Sequence, residues 1–164
     1  MRWFGIAAVV FIGLIIWQGY VLYAEILDKP SMETEQAIKT ARSEAHIVSV
    51  EEVYHFHGDL AYTVILGKDR DDSEKYVWVP EKEGKEITIR EKSSGASKQE
   101  IRTKIKQEEQ PKEIKAIKPG IKTNEDGKDK LVWEATYIDK DNRYVISYHN
   151  FSNGEYWRKH SLKQ

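Results

Sequence analysis

The chain has 164 residues, and its 26 lysines and arginines nearly balance 27 aspartates and glutamates, for a formal net charge of −1. It therefore has no global field that would recruit nucleic acid. It has no cysteine, which excludes a disulfide framework, thiol catalysis and cysteine-ligated zinc.

From Trp3 to Tyr23 no residue is charged, Gln18 is the only strongly polar one, and Arg2 stands just before the run. At 1.5 Å per residue such a helix reaches roughly 30 Å, the thickness of a bilayer's hydrocarbon core. Trp3 at one end and Trp17, Tyr20 and Tyr23 at the other match interfacial aromatic belts. The sequence thus predicts a membrane anchor over 1–23, with a cytoplasmic N-terminus and residues 24–164 outside the cell. A cleaved signal peptide fits less well: the apolar run is too long, its basic flank is a single Arg, and cleavage after Ala24 would put bulky Leu22 at the minus-three position. An exported chain without cysteine suits a Gram-positive surface.

Residues 24–35 read as a juxtamembrane linker into a helix, with Pro30 and Ser31 at its start, Glu33 and Glu35 near its positive end, and Ala37, Ile38 and Ala41 as its apolar stripe. The hydrophobic period then changes to two. Strands are predicted at Ile47 to Phe56, Leu60 to Leu66, Tyr76 to Pro80 and Glu86 to Arg90, with turns at His57-Gly58-Asp59 and at 81–85. After the break at 93–96 the order repeats. Ser97 with Glu100 makes a capping box for a helix carrying Ile101 and Ile105, and strands follow at Glu113 to Lys118, Leu131 to Ile138, Arg143 to His149 and Glu155 to Lys159. Tyr76-Val77 and Tyr144-Val145 recur at corresponding places. The chain is thus read as α+β with two tandem units, 36–92 and 97–160, each one helix packed on an antiparallel sheet.

Alternation assigns faces. Trp133, Ala135 and Tyr137 are expected against the second helix, with Tyr144, Ile146 and Tyr148 beside them, and the repeat would then put Tyr76, Trp78 and Pro80 against the first helix. Val77 and Val79 are left apolar on the outer face, a candidate inter-unit or partner surface.

Chemistry is sparse. His55 and His57 share a strand face near Asp59, but two ligands do not close a tetrahedral metal site. Asp69, Asp71 and Ser73 imitate the start of a calcium loop, but Glu74 stands where glycine is needed and Pro80 where the loop requires glutamate. There is no phosphate-cradling loop, G-x-S-x-G elbow or S-x-x-K motif, so no catalytic residue, cofactor site or small-molecule substrate is expected. Between Ser97 and Lys122 eight basic residues face four acidic ones, a local excess that reads first as a solvated helix and strand.

The segments 76–80 (YVWVP), 131–137 (LVWEATY), 144–148 (YVISY) and 151–154 (FSNG), preceded by one anchor helix, resemble the YpmB/TseB cell wall elongation regulators of Bacillus-type bacteria. That resemblance implies tandem cystatin-like or PepSY-like units and a non-enzymatic extracytoplasmic role beside a cell wall synthase, a class B penicillin-binding transpeptidase. A PepSY-like inhibitor or chaperone module for an extracellular peptidase is the alternative it allows.

Overall fold

The computed structural model describes residues 17–18, 31–82 and 84–162. The predicted anchor lies outside them except for Trp17 and Gln18, as does most of the predicted linker. Among the described residues no helix is long and apolar enough to cross a membrane. Met1–Glu35 and Gln36–Gln164 are two compact units. Within the first, the Ser31 hydroxyl accepts the Thr34 amide at 3.3 Å, the cap expected at the start of helix α1 (Met32–Glu44).

In the second unit each helix is followed by four strands. β1 (Ser49–His57), β2 (Ala61–Lys68), β3 (Glu74–Pro80) and β4 (Thr88–Glu91) form one antiparallel meander. A short 3-10 turn (Lys92–Ser94) leads to α2 (Lys98–Glu108), and β5 (Glu113–Thr123), β6 (Asp129–Ile138), β7 (Tyr144–Asn150) and β8 (Tyr156–Leu162) form the other. The predicted capping box at Ser97 is present in both directions, and it fixes where α2 begins.

The repeat extends to individual hydrogen bonds. In the β2–β3 turn Asp69 Oδ1 accepts the amides of Asp71 and Ser73 at 2.9 and 3.0 Å, and Asp72 is left-handed (φ 61). In the β6–β7 turn Asp139 Oδ1 accepts the amides of Asp141 and Arg143, both at 2.9 Å, and Asn142 is left-handed (φ 62). Asx turns of this kind suit Asp and Asn because their short side chains bond nearby backbone and tolerate that conformation. The first strand of each sheet also carries a register irregularity, at Val50/Glu52 and at Ile114/Ala116.

β5 runs past the predicted end at Lys118 through Pro119 and Gly120. Both residues look like breakers, yet both fit. β5 is a terminal strand of its sheet, where a proline without an N–H costs no ladder bond. At Gly120 a Cβ would collide with the Phe56 ring of β1, so the strand needs a residue without one there.

The assignment of faces is corrected at two places. β6 pairs with β7 so that Trp133, Ala135 and Tyr137 lie opposite His149, Ser147 and Val145. Those residues share the α2 side, while Tyr144, Ile146 and Tyr148 point to the other face. In the first sheet Val77 and Val79 cluster with Ile65 and with Ala37, Ala41, Ala45 and Ile47 of α1 and its C-terminal exit. They are helix-covered core rather than an outer surface. Tyr76 and Trp78 face away from α1 and join Phe56, Tyr62, Val64 and Leu66 in a cluster shared with the second half. A one-residue change of parity reverses every side chain on a strand, and alternation alone does not say which parity a helix will cover.

At the junction of the halves four rings meet. Phe151 lies edge-on to Tyr76 at 5.6 Å and to Trp78 at 5.2 Å, stacks on Trp133 at 5.9 Å, and Tyr76 meets Trp133 edge-on at 5.8 Å. Trp133 Nε1 donates to the Ala96 carbonyl at 2.9 Å, and the Ala96 amide donates to the Phe151 carbonyl at 2.8 Å. The link between the halves is thereby tied to the ring cluster by backbone as well as by side chains.

Candidate interaction surface

Of the sequence-level candidates for chemistry, His55, Asp59 and Asp69 hold structural contacts, and His57 is exposed at the end of β1, opposite Ala61. His55 Nδ1 lies 3.4 Å from the Thr63 hydroxyl across the β1–β2 ladder. Asp59, in the β1–β2 turn, binds Lys122 Nζ at 2.9 Å and accepts the Thr123 amide at 3.0 Å. The Lys122 contact and then that amide hold its carboxyl below the usual range. Asp69 turns one oxygen to the turn amides and the other to Lys75 at 2.6 Å, so the calcium-loop look-alike is a closed Asx turn. Among the described residues no group of three metal-ligating side chains converges.

One pair has the outline of a nucleophile and base. Ser147 Oγ and His149 Nε2 are 3.2 Å apart. Both are buried, at 2% and 3% exposure, and no carboxylate orients the other imidazole nitrogen. The pair lacks both the access and the third member that an activated serine requires.

The basic segment 97–122 is likewise mostly committed internally. Lys98 binds Glu52 at 2.9 Å and lies over the Tyr54 ring. Lys104 donates to the carbonyls of Asn153 and Gly154, Lys112 to Asn142, and Lys115 to Glu113. Lys118 reaches across the junction to the His55 carbonyl at 3.1 Å and sits 3.5 Å from Glu134, while Lys122 pairs with Asp59. Several of these cations fasten one part of the fold to another.

A group of cationic and aromatic side chains lies on β8 and beside it. The Arg158 guanidinium lies 4.1 Å from the centroid of Trp157 and 5.6 Å from that of Tyr148, and Lys130 Nζ lies 4.9 Å from Trp157. A cation held over a ring keeps its full charge, unlike one closed against a carboxylate. Burial, with the Glu134 carboxylate nearby, pushes the Tyr148 hydroxyl up to about 12, so it stays a neutral ring at physiological pH. Tyr156 and Leu162 at the two ends of β8 are 51% and 61% exposed. Sequence reasoning placed this strand but missed it as a surface. The available signal was three consecutive basic or titratable residues, Arg158-Lys159-His160, on the last strand of a meander.

Comparison with known proteins agrees with this architecture. Residues 36–80 match the family model of the cell wall elongation regulator TseB-like domain. The Bacillus subtilis protein named probable cell wall elongation regulator TseB is 29% identical over 137 residues, which are 82% of this chain and 80% of that protein. The solved structure of the YpmB protein from Bacillus subtilis superposes with a TM-score of 0.70 at 29% identity, covering 81% of this chain and all of that one. The YpeB C-terminal domain of Bacillus megaterium aligns over 84% of the chain and 68% of its own length at 13% identity, but its TM-score of 0.32 carries no argument about fold. Over most of its length the chain is thus similar to the TseB-like cell wall elongation regulators.

Proposed function

We propose that this protein is a membrane-anchored, extracytoplasmic, non-enzymatic module that regulates cell wall elongation by docking to a class B penicillin-binding transpeptidase. The observation that carries this reading is the match over most of both chains to a relative named as a cell wall elongation regulator. The anchor is the apolar run Trp3–Tyr23, which holds the remainder outside the cell. Confinement of both partners to one membrane raises their effective concentration, so a modest interface suffices.

The test is photo-crosslinking of the full-length protein in living cells, followed by identification of what is captured. A class B transpeptidase is the expected product. Capture of an extracellular peptidase in its place would favour an inhibitor or chaperone role. Deletion of the protein should alter cell length, cell width or sensitivity to wall-targeting antibiotics; unchanged cells would refute the reading. Release of the ectodomain by removal of residues 1–23 should abolish most activity, and an unrelated membrane span in the same orientation should restore it.

A further inference from the structure

Two four-stranded meanders present four strand edges, at β1, β4, β5 and β8. β1 and β5 approach one another at the junction, where Lys118 donates to the His55 carbonyl and Gly120 abuts Phe56. β4 has only four residues and runs into the 3-10 turn. β8 is different. It has seven residues, five of them from Arg158 onward in regular register with β7, and most are exposed. Alternate residues of such a strand direct their N–H and C=O groups away from the sheet, which makes the edge a template for another strand.

Charged side chains commonly guard such edges, but here the two strongest are drawn aside. Lys159 reaches to the α2 side, where its ammonium is 2.9 Å from each Glu109 oxygen. Arg158 turns to the opposite face, over Trp157 and Tyr148. Among the described residues no further strand pairs with this edge, and exposed Tyr156 and Leu162 offer apolar contact at its ends. The charge of Arg158 remains, however, because it is held over rings rather than closed against a carboxylate. β8 itself contains Arg158, Lys159 and His160 and no acidic residue.

We propose that β8 is a strand-addition site for an extended acidic segment of a partner protein. The inference rests on the docking role proposed above and names the kind of partner segment that docks. A second copy of this chain is a poor occupant: antiparallel pairing about a two-fold axis at Lys159 would set Lys159 against its own copy, like charges directly opposite. An acidic strand sets opposite charge against Lys159 and Arg158 instead, while its main chain supplies the ladder bonds.

The experiment uses the full-length protein and an eight-residue peptide alternating glutamate and valine, with binding read by fluorescence anisotropy and site by amide hydrogen exchange. Alternate amides between Arg158 and Leu162 should slow by about tenfold or more when the peptide is saturating. The Arg158→Glu/His160→Glu double variant should weaken binding by about tenfold or more. Should that variant melt early, His160→Glu alone serves, because His160 is exposed. Equal binding of a peptide with N-methylated alternate amides would mean that charge alone is read and would overturn strand addition. Equal binding of a lysine–valine peptide, or self-association of the protein through β8, would overturn the acidic partner. Loss of the wall phenotype in a deletion strain bears on the regulatory reading alone, so the failure of either idea leaves the other standing.

Discussion

The two halves share one topology but fill it differently. Under α1 the contacts are small and aliphatic: Ala37, Ala41 and Ala45 let the helix approach Ile65, Val77 and Val79 closely. Under α2 the sheet carries Trp133, Tyr137, Ser147 and His149, so bulk and polar groups replace methyls. The first half sends its own large rings, Tyr76 and Trp78, to the junction with Phe151 and Trp133. A duplicated fold thus places its largest core between the copies, and neither half is expected to persist when that core is opened.

The strongest way to break this comparison is Trp133→Ala. Removal of a fully buried ring should cost about 3–5 kcal/mol, and both sheets should melt in one transition at lower temperature. Val77→Ala under α1 removes two methyl groups and should cost about 2 kcal/mol. Scanning calorimetry of the two variants separates the cases. Two resolved transitions in the Trp133 variant would show that the halves are independent.

The turns sharpen the comparison in the opposite direction, because there the halves are alike. Asp69→Ala and Asp139→Ala each remove a carboxylate that accepts two backbone amides and a neighbouring cation. Each should lower stability by about 2 kcal/mol, a typical cost for charged acceptors of backbone amides. Urea titration should give the two losses within about 0.5 kcal/mol of each other if the turns are equivalent. A smaller difference is expected between the helix caps. Ser97→Ala breaks a reciprocal capping box and should cost about 1 kcal/mol, more than Ser31→Ala, where threonine rather than glutamate stands at the N3 position.

Much of this was legible in the sequence because it is local. The Ser97–Glu100 box and the period-two strands depend on residues a few positions apart, and the Tyr-Val repeat is a direct recurrence in the chain. What was misread depends on distant ones. The parity of β3 and β7 follows from which side each helix lies on, and aromatic residues looked like the natural helix-facing set until the second half claimed Tyr76 and Trp78. Pro119 and Gly120 read as a stop because nothing nearby reveals that β5 lies at a sheet edge against the Phe56 ring. β8 read as an ordinary strand because its exposure as an edge is fixed by the whole sheet order.

The smallest expected effect distinguishes the polar interior beneath α2 from its aliphatic counterpart. His149 is 3% exposed, and burial holds its imidazole below the ordinary 6.5, with the Gly154 backbone and the charges of Glu108, Glu109 and Lys104 acting around it. A depressed folded value means that the unfolded chain takes up a proton before the native protein does. The sign follows: stability is complete above about pH 6.5 and declines as pH falls below it, before the turn carboxylates Asp69 and Asp139, whose ordinary value is 3.8, begin to protonate. Urea midpoints compared at about pH 7.5 and about pH 5.5 should therefore drop in the natural protein, and the drop should shrink in His149→Gln, which stays neutral and can still meet Ser147. An equal drop in both proteins would place the titrating group elsewhere and remove His149 as the point at which the two helix-covered cores differ in their response to acid.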